Sequence, residues 1–283
     1  TNPQELAELM VGRKVLLNVE RPEANPSDVA LTVSGLGCYS SRGHKILDNL
    51  SFEVRAGEIL GIAGVSGNGQ TPLMEVLAGM RKPDEGQFEI LGKTITADTH
   101  VTPSEMRANG IGHIPEDRHK HGLVLEFEAY ENMVLGFHNT AVTGDKRLMD
   151  SKHMIAHCAE RMEEYDIRPR APHLPAKNFS GGNQQKIVVA REMYENPKLL
   201  IVGEPTRGVD VGAIEFIHKQ LIALRDQGCA IVLVSVELDE VMGLSDRILV
   251  MNKGEEVATI NGIDANAQKL CLMMAGISEG AGA

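Results

Sequence analysis

Residues 59–80 read ILGIAGVSGNGQTPLMEVLAGM, and the way this stretch parses decides the fold. The opening ILGIAGV is a short, nearly all-apolar run, the pattern of a strand buried on both faces. The closing PLMEVLAGM has the apolar spacing of a helix. Between them GVSGNGQT (64–71) has the spacing of a phosphate-binding loop, G-x-x-x-x-G-K-[ST], except that Gln70 stands where lysine belongs. In such a loop the glycines let backbone N–H groups turn inward around phosphates, and the following helix presents its positive N-terminus to them. Gly64, Gly67 and Gly69 keep that geometry, with Ser66 and Asn68 between them, and Thr71 keeps a hydroxyl suited to Mg2+. Gln70 supplies no positive charge, and a charge-assisted hydrogen bond is worth roughly 1.5–3 kcal/mol. A glycine-rich turn before a helix also serves packing alone, so the loop by itself leaves both readings open.

Working outward, LLIV at 199–202 and AIVLVS at 230–235 are two more buried apolar runs, each bordered by helical pattern. Strands that alternate with helices and are apolar on both faces imply a parallel sheet covered on both sides. From Val29 to Glu58, runs such as VALTVS and LSFEV alternate and are broken by Gly and Ser, which suits antiparallel strands. Between about 100 and 180 the sequence turns polar and helix-prone, the pattern of an inserted helical subdomain. The first stretch has a short amphipathic pattern at Leu6, Leu9 and Met10, then a Pro/Asn/Glu-rich segment ending near Asp28, and is expected to be a linker entering a domain cut from a longer chain. After Ile260 one more helix is expected, ending in a disordered SEGAGA.

With 283 residues, 42% of them hydrophobic, the chain can bury one large core or a core with an attached subdomain. Its longest apolar runs fall far short of the roughly 20 residues of a membrane-spanning helix. No secretion signal is visible, so the cytoplasm is the default expectation. The formal charge of −11 argues against a nucleic-acid partner, whose phosphates call for a basic face. Cys38, Cys158, Cys229 and Cys271 form no C-x-x-C pair and read as reduced, mostly buried thiols. His153 and His157 have the i, i+4 spacing of a metal pair, but no third ligand accompanies them, and a solvated helix face is expected.

NFSGGNQQK at 178–186 adds a second signal. Ser180, Gly181 and Gly182 sit just before NQQKIVVAREM, which has helical periodicity, so a second helix N-terminus offers a hydroxyl and bare amides to a phosphate. After it, LLIVGEPTRGVD (199–210) reads as a buried strand ending at the acidic Glu204, a tight turn and Asp210.

This order of elements resembles the nucleotide-binding domain of ATP-binding cassette (ABC) transporters over most of residues 29–260. GVSGNGQT matches the Walker A loop, SGGNQQK the signature, LLIVGEP the Walker B strand, RGVD the D-loop, and IGHIPEDR (111–118) the Q-loop region, with Glu116 where glutamine usually stands. The resemblance implies an α/β P-loop NTPase fold of the ABC-ATPase type, with a mixed or parallel core sheet, an antiparallel β subdomain and an inserted helical subdomain. It places a linker at 1–28, the cassette at 29–262 with its helical subdomain at about 100–180, and a C-terminal helix and tail at 263–283. It implies ATP and Mg2+ as cofactors, Glu204 as the general base, Thr71 at the metal, and Tyr39 stacking on adenine, though Tyr39 also reads as a plain core or surface residue. The combination of PEDRHKHG, SGGNQQK and PTRGVDVGAIEFIH looks most like the second half of tandem ATPases serving simple-sugar and nucleoside importers, the nucleoside branch being nearer.

Three departures from the family pattern stand at the charge-handling positions. Gln70 replaces the Walker A lysine, Gly203 the Walker B aspartate, and Val236 the switch histidine. In the signature, Phe179 and Asn183 replace leucine and glutamine and leave Ser180, Gly181 and Gly182 intact. Cassettes of this family pair head to tail, each ATP lying between the Walker loop of one and the signature of the other. The resemblance therefore implies a poor site of its own and a signature that completes the site of a second nucleotide-binding domain, the N-terminal half of the same polypeptide. It also implies transmembrane permease subunits, an extracellular substrate-binding protein acting indirectly, no nucleic acid, and a place on the cytoplasmic face of the membrane. A non-transport ABC protein and a non-catalytic structural or regulatory nucleotide-binding module are the alternatives.

Overall fold

The computed structural model describes residues 21–99, 101–138, 143 and 149–277. The pattern at Leu6, Leu9 and Met10 and the SEGAGA tail lie outside the described residues. The described chain divides into two compact units. Residues 21–113, Asn196–Glu204 and 221–277 form a sheet unit, and Ile114–Glu195 with Pro205–Gln220 form a helical unit.

The strands are β1 (Val29–Tyr39), β2 (Lys45–Arg55), β3 (Ile59–Ala63), β4 (Glu85–Ile90), β5 (Lys93–Thr96), β6 (Ile111–Ile114), β7 (Leu199–Gly203), β8 (Ala230–Val234), β9 (Arg247–Asn252) and β10 (Glu255–Asn261). They make an antiparallel sheet in the order β2-β1-β4-β5 and a larger sheet in the order β10-β9-β3-β8-β7-β6. In the larger sheet β9, β3, β8 and β7 run parallel, and β10 pairs antiparallel with β9. The sheet is thus mixed with a parallel centre, as the apolar runs of β3, β7 and β8 require.

Alternation along β3 explains its composition. Leu60 and Ile62 face a cluster with Leu73 and Leu77 of the helix Gln70–Leu77 and with Leu36 and Leu50 of the antiparallel sheet. The helix therefore lies between two sheets, and each fully buried leucine in it contributes about 1.5–3 kcal/mol. Ala63 faces the other side with Val241. A Cβ at Gly61 would meet Ser245 Oγ at 2.1 Å and Val241 Cγ1 at 2.9 Å, so the helix Leu238–Leu244 rests against strand backbone. Met106, the buried residue of the helix Pro103–Ala108, joins the first cluster, which is why the sheet unit extends past residue 100 to His113.

At the other end of β3, the Asp246 carboxylate accepts from Ile59 N at 2.9 Å and from Arg225 Nη1 at 2.8 Å. Arg225 is fully buried and donates through Nη2 to Pro22 O at 2.9 Å. Arg21 donates to Ser245 O and, at 3.3 Å, to Asp246. The incoming segment is thus fastened under the sheet.

The helical unit holds the helices Ala129–Met133, Ser151–Glu164 and Gly181–Met193, a π-helical turn Arg118–Gly122, and the first turns of Val211–Asp226. Two of its buried polar side chains, Asn132 and Arg191, bond to backbone. Asn132 accepts from Val124 N at 2.9 Å and donates to the carbonyls of Val124, Phe127 and Glu128. Arg191 donates to Gly122 O at 2.8 Å and Asn132 O at 3.1 Å.

The expectation of a solvated face for both histidines fails at one of them. His153 is exposed, but His157 is buried edge-on against Tyr194, ring centroids 4.4 Å apart. Burial, then the nearby Arg161 charge, lowers its pKa to about 4. Cys38, Cys158 and Cys229 are buried and Cys271 is exposed; burial pushes the Cys158 and Cys229 thiols up to about 12.

Candidate nucleotide-binding site

The loop between β3 and its helix keeps its shape through backbone contacts. Gly69, the residue before the helix, has φ +105°, and a Cβ there would meet Ile46 O at 2.7 Å, so only glycine fits. Gly67 is also left-handed, at φ +91°. Asn68 ties the loop to β9 and the turn after it: its Nδ2 donates to Met251 O at 3.3 Å and its carbonyl accepts from Gly254 N at 3.0 Å. A Cβ at Gly64 would meet Gln70 Nε2 at 2.4 Å, because Gln70 is only 6% exposed and folds back to donate to Val65 O at 3.3 Å. The amide at the lysine position is thus engaged with the loop itself. Ser66 and Thr71 are exposed.

Beside the loop lie the ends of β8 and β7. Ile62, Val234 and Gly203 form one row across β3, β8 and β7. Glu204 follows with φ +46°, a left-handed conformation that costs a non-glycine residue roughly 1–2 kcal/mol. Its amide donates to Val234 O at 2.8 Å, and its carboxylate accepts from Val236 N at 2.9 Å. The Val236 side chain is 52% exposed.

Tyr39 ends β1 opposite Lys45, next to the Ile46 carbonyl that touches Gly69. This brings it to the loop's flank. Its hydroxyl donates to Glu85 Oε1 at 2.6 Å, which raises the phenol above its usual pKa. Gln70, Thr71, Tyr39 and Glu204 therefore belong to the sheet unit.

Glu116, Ser180, Gly181, Gly182 and Asp210 belong to the helical unit. Ser180 caps the helix Gly181–Met193, its Oγ accepting from Asn183 N at 3.4 Å and from Asn183 Nδ2 at 2.9 Å. Asn183 Oδ1 in turn accepts from Arg168 N at 2.7 Å. The two glycines are enforced by close approach: Cβ atoms would fall 2.7 Å from Gly208 O and 2.6 Å from Asp210 Oδ2. Asp210 caps the next helix, its Oδ1 accepting from Ala213 N at 3.0 Å. Glu116 is half-buried, just after β6.

Sequence reasoning did not single out Arg118. Its Nη1 donates to Arg207 O at 2.7 Å, its Nη2 touches Gly208 O at 3.5 Å, and its Nε approaches Gln184 Oε1 at 3.5 Å, an atom also bonded to His119 Nε2 at 2.8 Å. Arg118 thereby joins the turn after Glu204 to the signature helix.

A phosphate-shaped loop at the carboxyl edge of a parallel sheet, with a second glycine-led helix start in a helical unit, defines a nucleotide-binding cassette. The chain belongs to the ABC transporter family, which residues 47–207 match. It is 45% identical over 279 residues to the guanosine import ATP-binding protein NupO of Bacillus subtilis (strain 168), covering 99% of this chain and 54% of that protein. It is 44% identical over 273 residues to the nucleoside import ATP-binding protein NupA of Lactococcus lactis subsp. cremoris (strain MG1363), covering 96% of this chain and 53% of that protein. The chain spans about half the length of these curated relatives. A solved nucleotide-free ATP-binding cassette from an ABC transporter shares the fold, with TM-score 0.73 at 23% identity over 89% of this chain and all of that one. No helix among the described residues is long and apolar enough to cross a membrane.

Family membership implies ATP binding, for which Mg2+ is generally required. The residues at this edge do not fit the ion. Thr71 brings one hydroxyl, β7 ends in Gly203 without a carboxylate, and the Glu204 carboxylate is bonded to Val236 N–H. Among the described residues no three His, Cys, Asp or Glu side chains are grouped to hold a metal. A magnesium site held by oxygen ligands calls for at least one well-placed carboxylate.

Proposed function

We propose that this chain is the ATP-binding, energy-coupling domain of an ABC importer for nucleosides, whose own phosphate site is degenerate and whose signature completes the site of a partner cassette. The observation that carries this is the contrast within one chain: Gln70, Gly203 and Val236 leave the loop without charge handling, while Ser180 stays exposed and caps a helix start that keeps both of its glycines. Phosphoryl transfer depends on positioning and charge stabilisation, so Glu204 alone has little to act with. The partner is the N-terminal half of the same polypeptide, docked with permease subunits on the cytoplasmic face of the membrane. A substrate-binding protein acts outside. The names of the similar guanosine and nucleoside import proteins support nucleosides as cargo.

The experiment is ATP turnover by this chain alone and by the full tandem protein. Negligible turnover alone with clear turnover in the tandem is expected. Robust turnover alone, abolished by Glu204→Gln, overturns the degenerate-site reading. Turnover in neither favours a regulatory module.

A further inference from the structure

Within the helical unit the turn at 206–210 lies directly against the first turn of the helix Gly181–Met193. A Cβ at Gly181 would fall 2.7 Å from Gly208 O, and one at Gly182 2.6 Å from Asp210 Oδ2. Gly181 and Gly208 face each other without side chains, so nothing of their own interlocks to set the spacing. The half-buried Arg118 guanidinium stands at this seam: its Nη2 is 2.9 Å from the place a Gly181 Cβ would take and 3.6 Å from that of Gly208. Nη1 donates to Arg207 O at 2.7 Å and Nη2 reaches Gly208 O at 3.5 Å, both on the turn. Nε reaches Gln184 Oε1 at 3.5 Å, on the helix. One planar group thus addresses both segments.

Its target on the helix is itself fixed. Gln184 is buried, donates through Nε2 to Ala176 O at 3.1 Å, and its Oε1 also bonds His119 Nε2 at 2.8 Å. Among the described residues Arg118 forms no ion pair; Asp117 and Arg207 act on its charge only at longer range. Replacing it therefore orphans no carboxylate.

Resting on the signature role proposed above, we propose that Arg118 is a positioning residue for that site. Its fork sets the spacing between the 206–210 turn and the signature helix, and with it the direction in which Ser180 Oγ and the Gly181 and Gly182 amides are presented. A displacement of about 1 Å at such a site costs on the order of a hundredfold in rate.

The test is made on the proposed tandem protein, with steady-state ATP turnover and hydrogen exchange read on the same variants. Arg118→Lys keeps the charge and loses the fork. It is expected to lower kcat by about 10- to 100-fold while KM for ATP stays within about threefold, because a displaced signature weakens the transition state and spares ground-state binding. The amides of Gln184 and Ala213 donate to the cap carbonyls of their helices, Ser180 O at 2.8 Å and Asp210 O at 3.0 Å. Their exchange is expected to quicken by about fivefold or more, with the unfolding temperature within about 3 °C of the unmodified protein. Turnover of Arg118→Ala is expected to recover with added guanidinium and not with ammonium. Unchanged kcat in Arg118→Lys, equal rescue by the two cations, or a kcat that falls only as far as the folded fraction overturns the proposal. If Ser180→Arg abolishes turnover while Arg118→Lys leaves kcat and exchange unaltered, the positioning role falls and the proposed function stands. If Ser180→Arg leaves turnover intact and Arg118→Lys only quickens exchange, the proposed function falls and the positioning role falls with it.

Discussion

The two glycine-led helix starts of this chain are built from similar parts and differ in where their polar side chains go. At the helix Gln70–Leu77 the residue before the helix is a bare glycine, and the first side chain, Gln70, is buried against the loop's own carbonyl. At the helix Gly181–Met193 the preceding residue is a serine that caps the helix and remains exposed. In each, one glycine meets a backbone carbonyl that leaves no space for a Cβ: Ile46 O at Gly69, Gly208 O at Gly181. Shape in these loops is fixed by packing, whereas charge and metal handling rest on a few side chains that packing does not protect. On the proposed reading, the first start has kept the shape and lost the chemistry.

The strongest way to break this comparison is at the signature. Ser180→Arg in the proposed tandem protein is expected to reduce ATP turnover by about 10²–10³, the usual cost of losing a preorganised donor at a charge-bearing transition state. Unchanged steady-state turnover would make the second start as vestigial as the first.

The comparison sharpens at Gln70. Gln70→Lys is expected to tighten ATP binding by about ten- to a hundredfold, following a charge-assisted bond of roughly 1.5–3 kcal/mol, while hydrolysis at this site stays near background. The reason is that Gly203 and Val236 remain. Single-turnover hydrolysis in a tandem protein with the partner's Walker lysine disabled measures this, and substantial turnover would show that the lysine was the only missing part.

The smallest effect concerns the frame behind the signature. His157 is held neutral, its pKa lowered to about 4 by burial and Arg161. An unfolded histidine binds its proton near 6.5, so stability contributed by neutral His157 is complete above that value and is lost as pH falls from about 6.5 to about 4. After solvent screening the loss is at most roughly 2 kcal/mol. Urea unfolding at pH 7.5 and pH 5 should show a larger drop for the native chain than for His157→Gln; equal drops would contradict the assignment.

The strand, loop and helix around residues 59–80 were legible because burial on both faces leaves an unbroken apolar run and the loop needs glycines at fixed spacing. β7 and β8 were legible for the same reason. The hairpin of β4 and β5 was not foreseen, since EGQFEI and KTIT are short and mostly polar. His157 was misread because charged Glu160 and Arg161 stand a turn away on its helix, while Tyr194, the ring that covers it, caps the end of another helix. Arg118 was passed over because its hydrogen-bond partners include carbonyls at Arg207 and Gly208, a contact that leaves no local pattern.

The knot at Asp246 has a mechanical consequence. Ile59, Arg225 and Arg21 all converge on one carboxylate at the start of β3, and the phosphate loop leaves from the other end of that five-residue strand. A pull on the chain ahead of Arg21 is therefore borne by the fixed end of a strut about 16 Å long, its length set by the rise of a strand. Tension in the incoming chain loads ion pairs and a strand amide lengthwise, and the loop at the far end moves only if the whole strut does.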